Sequence, residues 1–326
     1  MNDAAFQKPK KALIIGAAGF VGSYLADHLN ESGKWSVCVT KMSQEKVAIQ
    51  NAAVYDLDIL QPAQIVTLLS ELRPDVIFHL AAQSSVALSW KNPALTVDIN
   101  IKGTLHLLDA IRTAHLAPRI LLIGSGEEYG AVLPDEIPVR EDTLPRPANL
   151  YAVTKNTQNQ IGRLYAAAYG MDIISTRSFN HIGPNQTPTF VVADFCKQVA
   201  EIEADYREAV LKVGNLSAKR DFTDVRDVVC AYELLAEKGV AGETYNVGRG
   251  EAIAIQEILN RIIALSTKKI TVEVDAAKLR PVDVPEIRAD ITKLHTATGW
   301  QANIPLEKTL VETLHYWRKH VQKEHN

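Results

Sequence analysis

Cysteine is scarce in this sequence, and so is any excess of positive charge. The three cysteines, Cys38, Cys196 and Cys230, lie far apart and lack the spacing of a metal site or a redox pair. Isolated cysteines of this kind are typical of small buried side chains in a reducing compartment. The formal net charge is −3, so the chain has no general positive field for nucleic acid or acidic membranes. We therefore expect no metal and no nucleic-acid partner, and we expect local arginines wherever an anion binds.

Long hydrophobic runs are also missing. No apolar stretch is long enough to span a bilayer, and the first residues carry no secretory signal pattern. The sequence thus predicts a cytoplasmic protein without a membrane partner. Its 326 residues, 47% of them hydrophobic and 22% charged, suffice for one large or two modest globular domains.

Short apolar runs alternate with amphipathic helical patterns along most of the chain. Strands of a buried parallel sheet have this apolar character, and their alternation with helices indicates a doubly wound parallel sheet. The predicted fold class is therefore α/β with a Rossmann sheet. The predicted strands are 11–15, 35–39, 53–55, 76–80, 119–123, 172–177 and 244–247, and the predicted helices after the first are 62–72, 101–113, 151–169, 192–204 and 227–237.

The alternation becomes irregular after residue 178, which predicts a second domain. We assign residues 1–177 and 223–250 to the dinucleotide-binding Rossmann domain. Residues 178–222 and 251–326 are assigned to a smaller, discontinuous α/β domain that binds the substrate.

A glycine cluster follows the first strand and opens the first helix. Its spacing is G-x-x-G-x-x-G over Gly16, Gly19 and Gly22, with Phe20 and Val21 between the last two. Glycines at this place allow a tight turn and let the backbone approach a pyrophosphate, which rests on the helix N-terminus. A tight strand-to-helix turn without a ligand is the simpler alternative, but the position favours dinucleotide binding.

The end of the second strand bears on the choice of cofactor. Thr40 and Lys41 stand where an acidic residue would bind the ribose hydroxyls of NAD and repel a 2′-phosphate. Both side chains could meet that phosphate, so NADP(H) is favoured and NAD(H) is possible; Lys41 could also be an ordinary surface lysine. Asp58 could accept a hydrogen bond from the adenine amino group. Further expected cofactor contacts are Ile59, Leu80, Ala81 and Ala82.

A phenol and an ammonium group stand four residues apart at the start of a predicted helix. Tyr151 and Lys155 therefore share one helical face. A lysine cation beside a tyrosine favours the phenolate, so we expect Lys155 to lower the pKa of Tyr151 and suit it to proton transfer near neutrality. By itself this spacing more often marks a solvated helix face.

Two polar residues at the end of a predicted strand strengthen that interpretation. Ser125 could hydrogen-bond a substrate carbonyl beside Tyr151, and Glu127 could act as a base or hold a sugar hydroxyl. The carboxyl ends of strands in open α/β sheets are where such sites gather. His79, inside a strand, is interpreted as a core histidine without a role.

These motifs together resemble those of the extended short-chain dehydrogenase/reductases that act on nucleotide-sugars. Within that family the chain is most similar to the reductases of GDP-4-keto-6-deoxymannose. The motifs that carry the resemblance are Gly16–Gly22, His79–Ala82, Asn100 with Gly103, Ser125–Gly130 and Tyr151–Lys155, and those that carry the closer similarity are Phe179–Pro184, Val213–Leu216, Arg220–Asp227 and Leu279–Pro281 with Glu286.

The resemblance implies a role for each of these residues. Tyr151 is the acid-base residue, Lys155 binds the nicotinamide ribose, and Ser125 polarises the carbonyl group. The reaction is reduction of the C4 keto group of a GDP-4-keto-6-deoxyhexose to a GDP-6-deoxyhexose such as GDP-D-rhamnose, as in GDP-rhamnose biosynthesis. The implied substrate-binding residues are Ser84, Ser125, Glu127, Asn180, Arg220, Arg280 and Glu286, of which the two arginines hold the diphosphate.

One departure from the family separates the alternatives. Related 4,6-dehydratases carry an aspartate or a hydroxyl residue where this chain has Gly126, and glycine cannot transfer a proton through a side chain. A reductase needs no such group. A GDP-mannose 4,6-dehydratase or a nucleotide-sugar 4-epimerase is the alternative enzyme, because Glu127 could still act as base. A dinucleotide-binding sensor is the alternative that is not an enzyme.

The family also implies a homodimer. The expected interface consists of the helices near Gly103–Thr113 and Tyr151–Tyr169.

Overall fold

A computed structural model describes residues 9–279 and 284–324 of the chain. The strands are β1 (Lys10–Ile15), β2 (Trp35–Lys41), β3 (Ala53–Asp56), β4 (Val76–His79), β5 (Arg119–Ser125), β6 (Ile173–Ser178), β7 (Asn180–Ile182), β8 (Val210–Val213), β9 (Lys219–Asp224), β10 (Thr244–Val247), β11 (Ala252–Ala254), β12 (Thr271–Val274) and β13 (Glu286–Ile287). The helices are α1 (Phe20–Ser32), α2 (Pro62–Leu72), α3 (Val86–Lys91), α4 (Pro93–Val97), α5 (Gly103–Thr113), α6 (Leu150–Tyr169), α7 (Val191–Glu203), α8 (Val225–Lys238), α9 (Ile255–Ala264), α10 (Thr292–Thr298) and α11 (Leu306–Glu324).

A seven-stranded parallel sheet forms the larger part of the molecule. Its strand order is β10-β6-β5-β4-β1-β2-β3, so the chain runs outward from β1 to β3 and then returns to the other side of β1 at β4. The predicted Rossmann fold is confirmed. In sheets of this kind a crevice opens where the strand order reverses, here between β1 and β4, at the carboxyl ends of the strands.

Both faces of this sheet are buried, which explains the apolar character of its strands. Side chains of a strand alternate between the two faces. Ala12 and Ile14 of β1 pack into a core with α1 and α8, whereas Leu13 and Ile15 pack into a second core with α2 and α5.

A smaller unit with its own core follows the large sheet. Strand β9 is its centre and pairs with β7, β11 and β13, and β8 pairs with β12 beside it. Its core is contributed chiefly by α7, α9 and α11. The domain bounds predicted above stay a prediction, although β7 and β9 do lie in this unit and β10 in the large sheet.

Candidate active site

A cavity of about 660 Å³ lies at the carboxyl ends of β1, β4 and β5, between the large sheet and the smaller unit. Every predicted cofactor residue lines it. Of the predicted substrate residues, Ser84, Ser125, Glu127, Asn180 and Arg220 line it as well. The predicted contacts of the two ligands thus converge on one cleft.

The turn after β1 brings backbone, rather than side chains, to the cavity. Gly16 has a φ of 93°, and a Cβ on it would lie 2.7 Å from the backbone nitrogen of Ala81. Only glycine fits a left-handed conformation and so close an approach. Gly19 then precedes α1, whose first turn lines the cavity with its N–H groups unpaired within the helix. Free backbone N–H groups at a helix N-terminus are suited to an anion such as a pyrophosphate.

At the end of β2, Thr40 and Lys41 line the cavity and also have partners within the protein, and their contact with a 2′-phosphate stays a prediction. Thr40 is buried, and its Oγ1 accepts a hydrogen bond from the Gly16 N–H at 3.2 Å. Lys41 Nζ forms an ion pair with Asp56 Oδ1 at 2.5 Å, because β3 pairs with β2 and places Asp56 opposite Lys41. Thr40 therefore supports the glycine turn. The Asp56 carboxylate partly neutralises the Lys41 cation, which weakens the attraction of Lys41 for a 2′-phosphate.

Asp58 and Ile59, which follow β3, line the cavity, and their contact with the adenine stays a prediction. One oxygen of Asp58 accepts the N–H of Leu60 at 2.9 Å, which orients its carboxylate in the turn after β3. The neighbouring loop residues Gln44 and Glu45 also line the cavity, although no pattern in the sequence marks them.

Helix α6 positions the phenol and the ammonium group. Asn149 caps the helix by accepting the N–H of Ala152 at 2.8 Å, and its amide donates to Glu127 Oε2 at 3.0 Å. Tyr151 and Lys155 are both buried and both line the cavity. Lys155 Nζ donates to the carbonyl oxygen of Ile123 at 2.7 Å, which ties α6 to β5.

Burial sets the charge state of this pair. It raises the pKa of Tyr151, with Ser125 hydrogen bonding acting in the opposite direction, so the phenol is protonated at neutral pH. Burial lowers the pKa of Lys155 to about 8. The prediction that Lys155 lowers the pKa of Tyr151 is wrong for this structure, because the desolvation of a buried phenolate outweighs its neighbours.

Ser125 stands at the end of β5 and caps a short 3₁₀ turn, Gly126–Tyr129. Its Oγ accepts the N–H of Glu127 at 3.2 Å, which leaves the hydroxyl proton for donation into the cleft. His79 is buried away from this chemistry: it meets Thr104 at 3.1 Å, and burial lowers its pKa to about 3. The interpretation of His79 as a core residue agrees with these contacts.

The smaller unit supplies the other wall of the cleft. Arg220 Nη1 donates to the carbonyl oxygens of Lys219 and Val284, at 2.9 and 2.7 Å, which fixes its guanidinium group at the cavity. Glu286 does not line the cavity, and its carboxylate faces Lys219 Nζ at 3.4 Å. Its predicted contact with the nucleoside is therefore not supported by its position. Arg280 lies outside the described residues.

Several cavity residues on this side were missed by sequence reasoning. His181 stacks on Phe20 with ring centroids 6.2 Å apart; it lies in the Phe179–Pro184 motif, but of that motif only Asn180 was expected to bind a ligand. The others, which carried no recognisable pattern, are Gln186, Thr189, Phe190 and Ile287.

Within residues 9–279 and 284–324, no group of three or more histidine, cysteine, aspartate or glutamate side chains is arranged to hold a metal ion. No helix there is long and apolar enough to cross a bilayer.

Comparisons with known proteins agree with this geometry. Residues 13–313 match the family model described as GDP-mannose 4,6 dehydratase. The chain is 31% identical to the GDP-6-deoxy-D-mannose reductase of Pseudomonas aeruginosa, over 97% of this chain and 99% of the relative. It is 29% identical to the UDP-glucose 4-epimerase of Mycolicibacterium smegmatis, over 96% and 100% of the two chains.

Solved structures give the same two kinds of relative. The RMD protein of Pseudomonas aeruginosa complexed with NADPH superposes with a TM-score of 0.84 at 31% identity, covering 95% of this chain and 99% of that one. The UDP-glucose 4-epimerase of Thermotoga maritima with UDP-glucose has a TM-score of 0.85 at 30% identity and the same coverage.

Proposed function

This chain belongs to the family that the GDP-mannose 4,6 dehydratase model describes, within the extended short-chain dehydrogenase/reductases, and we propose that it is an NADP(H)-dependent nucleotide-sugar reductase. It reduces the C4 keto group of a GDP-4-keto-6-deoxyhexose to give a GDP-6-deoxyhexose such as GDP-D-rhamnose. The observation that carries this proposal is the set of Ser125, Tyr151 and Lys155 on one wall of the cleft, with Gly126 beside it.

The residues of the cleft fit a dinucleotide. The unpaired N–H groups at the start of α1 hold the pyrophosphate, and the close packing of Gly16 on Ala81 leaves room for it. Asp58 and Ile59 contact the adenine, and Lys155 contacts the nicotinamide ribose. NADP(H) is favoured because the Pseudomonas aeruginosa RMD structure contains NADPH, and NAD(H) is the second candidate. When bound, the cofactor supplies the hydride.

Proton transfer falls to the protein. Tyr151 donates its proton to the carbonyl oxygen as hydride reaches the carbon, and Ser125 donates a hydrogen bond to the same oxygen. The raised pKa of Tyr151 keeps the phenol in the donating form. Lys155 carries its charge only below a pKa of about 8, so turnover should fall as the pH rises through that value. A kcat/KM profile against pH measures this.

Substrate binding falls to the opposite wall. Arg220 holds the diphosphate, because its guanidinium group is fixed at the cavity and is suited to phosphate oxygens. Asn180 is exposed beside it and contacts the sugar or diphosphate. Arg280 and Glu286 are proposed contacts from the family alone.

Gly126 favours reduction over dehydration. Elimination of water across C5 and C6 needs an acid and a base, and of the two residues that directly follow Ser125 in the chain, Gly126 and Glu127, only Glu127 has a titratable side chain. A Cβ built on Gly126 would lie 3.1–3.2 Å from three atoms of the Phe179 ring. The place of the missing acid is thus covered by an aromatic ring, which would have to move before a side chain could enter.

The test compares four nucleotide-sugars as substrates, the three keto sugars with NADPH and GDP-mannose without it. With GDP-4-keto-6-deoxymannose we expect one NADPH oxidised per product molecule, and with the UDP and dTDP analogues a much lower rate. With GDP-mannose alone we expect no product. Formation of a 4-keto-6-deoxy sugar from GDP-mannose without net cofactor consumption would instead establish a dehydratase.

A 4,6-dehydratase or 4-epimerase is the second candidate, because the matching family model bears the dehydratase description and epimerases are among the similar structures. Glu127 lines the cavity and can act as its base.

We also propose a cytoplasmic homodimer with the two domains predicted from the sequence. Helix α6 exposes Val153 and Leu164, which lie eleven residues apart and so share one face. Apolar side chains on one face of a surface helix suit a self-complementary interface through α5 and α6. Sedimentation of the purified protein, with and without Leu164→Lys, measures the oligomeric state.

A further inference from the structure

A buried glutamate that has no part in the proposed chemistry lies directly behind Ser125. Glu128 is completely buried, at 0% exposure, and its Oε1 accepts the backbone N–H of Ser125 at 2.9 Å. The space is so tight that a Cβ on Gly124 would meet Glu128 Oε1 at 2.4 Å. The glycine before Ser125 thus makes room for this carboxylate.

The other oxygen of Glu128 joins two further elements. Its Oε2 accepts hydrogen bonds from Asn159 Nδ2 of α6 and from Arg177 Nε of β6, both at 3.1 Å. Asn159 follows Lys155 by four residues and Tyr151 by eight, so all three share one face of α6. One carboxylate therefore ties the end of β5, the helix that carries Tyr151, and β6 together.

Arg177 compensates the buried charge. Its guanidinium group lies over the Tyr129 ring at 4.6 Å and donates to the carbonyl oxygen of Glu141 at 3.1 Å. Burial raises the pKa of Glu128, and Arg177 acts against that rise. A buried ion pair of this kind adds little net stability compared with apolar residues of the same volume. Net stability alone therefore does not account for the pair.

We propose that Glu128 is a positioning residue: its carboxylate holds Ser125 against the face of α6 that carries Tyr151 and Lys155. This inference rests on the proposed function, since it assigns Ser125 and Tyr151 to one reacting oxygen. Glu128 acts through the Ser125 backbone and touches neither substrate nor cofactor.

The charge of Glu128 gives the proposal a readout beyond stability. Glu128 raises the pKa of both Tyr151 and Lys155 through its charge. The other titratable groups around the cluster are Glu127 on the same turn, Tyr232 on α8, His79 on β4, and Tyr129 and Glu141 around Arg177. A change confined to Glu128 leaves all of these in place.

The test is Glu128→Gln, assayed for NADPH oxidation across pH. The neutral amide leaves the Arg177 cation uncompensated, which favours neutral Lys155. We expect kcat to fall about tenfold or more, with NADPH affinity within about twofold of the wild type. The fall of activity at high pH, the basic limb of the pH profile, should move down by roughly one pH unit. The double variant Glu128→Gln, Arg177→Met removes both charges. Its basic limb should return to the pH of the wild type, while kcat stays low. Unchanged kcat and pH limb in Glu128→Gln would overturn the proposal.

Glu233→Gln is the matched control. Glu233 is also a buried carboxylate, and it accepts hydrogen bonds from Trp35 and meets His28 far from the cleft. It should lose stability without any shift of the pH limb. The same loss of kcat and the same unmoved limb in both variants would mean that Glu128 is merely structural.

Two further measurements keep the proposal open to refutation. If Glu128→Gln fails to fold, Glu128→Asp retains the charge but withdraws it from Ser125, so kcat should fall several-fold with the limb unmoved; an unchanged kcat contradicts the proposal. Amide hydrogen exchange at Ser125 needs no substrate, and it should quicken in the Glu128 variants but not in Glu233→Gln. If the wild type reduces only another nucleotide-sugar, the proposed substrate is wrong, and Glu128 is tested with that sugar.

Discussion

The two ends of the cleft are built in different ways. The cofactor end is made mostly of backbone: the turn at Gly16, the start of α1 and the strand end at Ala81. The end that we propose binds the substrate is made of side chains from separate segments, among them Asn180, Arg220 and Phe190. The family relatives include both GDP-sugar and UDP-sugar enzymes. The difference suggests that the fold fixes the cofactor and the chemistry, while a few side chains choose the sugar nucleotide.

The centre between the two ends should tolerate change least. Tyr151→Phe removes only the hydroxyl that we propose donates the proton, so kcat should fall about 10³-fold or more while NADPH affinity stays within about twofold. Steady-state rates and NADPH fluorescence titration measure the two effects. Tyr165→Phe is the control, because its hydroxyl meets Asp109 on α5 at 3.1 Å, away from the cavity. Near-native turnover of Tyr151→Phe would remove Tyr151 from the mechanism.

The cofactor end should fail through its backbone. Gly16→Ala adds a Cβ at a φ of 93° and 2.7 Å from the Ala81 nitrogen, so NADPH affinity should drop about 30- to 100-fold. Gly33→Ala carries a similar strain, with a φ of 67°, but nothing lies within 4 Å of its Cβ. That control should cost about 1 kcal/mol of stability and leave NADPH binding intact. Equal NADPH affinities in the two variants would contradict a cofactor site at Gly16.

A substitution at the substrate end should change only the affinity for the nucleotide-sugar. Arg220→Gln removes the charge that we propose binds the diphosphate, so KM for the nucleotide-sugar should rise about 10- to 30-fold with kcat and NADPH affinity nearly unchanged. Arg207→Gln breaks an ion pair to Glu201 in the same unit and should leave KM as it was. A fall in NADPH affinity in Arg220→Gln would mean that the two ends are not separate.

The smallest effect concerns the preference between the two cofactors. Asp56→Asn removes the carboxylate that holds Lys41, so the ratio of kcat/KM for NADPH over NADH should rise about three- to fivefold. Asp75→Asn, at the opposite end of the sheet beside Lys11, should leave that ratio unchanged. A lower ratio in Asp56→Asn would show that Lys41 does not face the 2′-phosphate.

Local patterns in the sequence predicted what depends on neighbours in the chain. The helix 62–72 and the strand 244–247 have the bounds predicted for them, and the Gly16 turn and the Tyr151 and Lys155 pair lie in the cleft. The helix predicted at 101–113 begins at Gly103, because residues 98–102 form a π-helical turn. Hydrogen bonds of the Asn100 side chain with Gln83 and Thr154 hold that turn in place.

Pairings between distant residues could not be predicted. Lys41 meets Asp56 only because β2 and β3 are neighbours in register, and Arg177 meets Glu128 across 49 residues of sequence. In the sequence, all four look like ordinary charged residues. The raised pKa of Tyr151 could not be predicted for the same reason, since burial is a property of the whole fold.

The most direct measurement of the central claim follows the hydride. The protein is incubated with GDP-4-keto-6-deoxymannose and NADPH that carries deuterium at the transferred position, and the product is examined by NMR. Reduction by way of Tyr151 predicts one deuterium at C4 for each NADPH consumed, and none in Tyr151→Phe over the same time. Conversion of GDP-mannose with its own C4 hydrogen recovered at C6, and no NADPH consumed, would show a dehydratase and contradict the account.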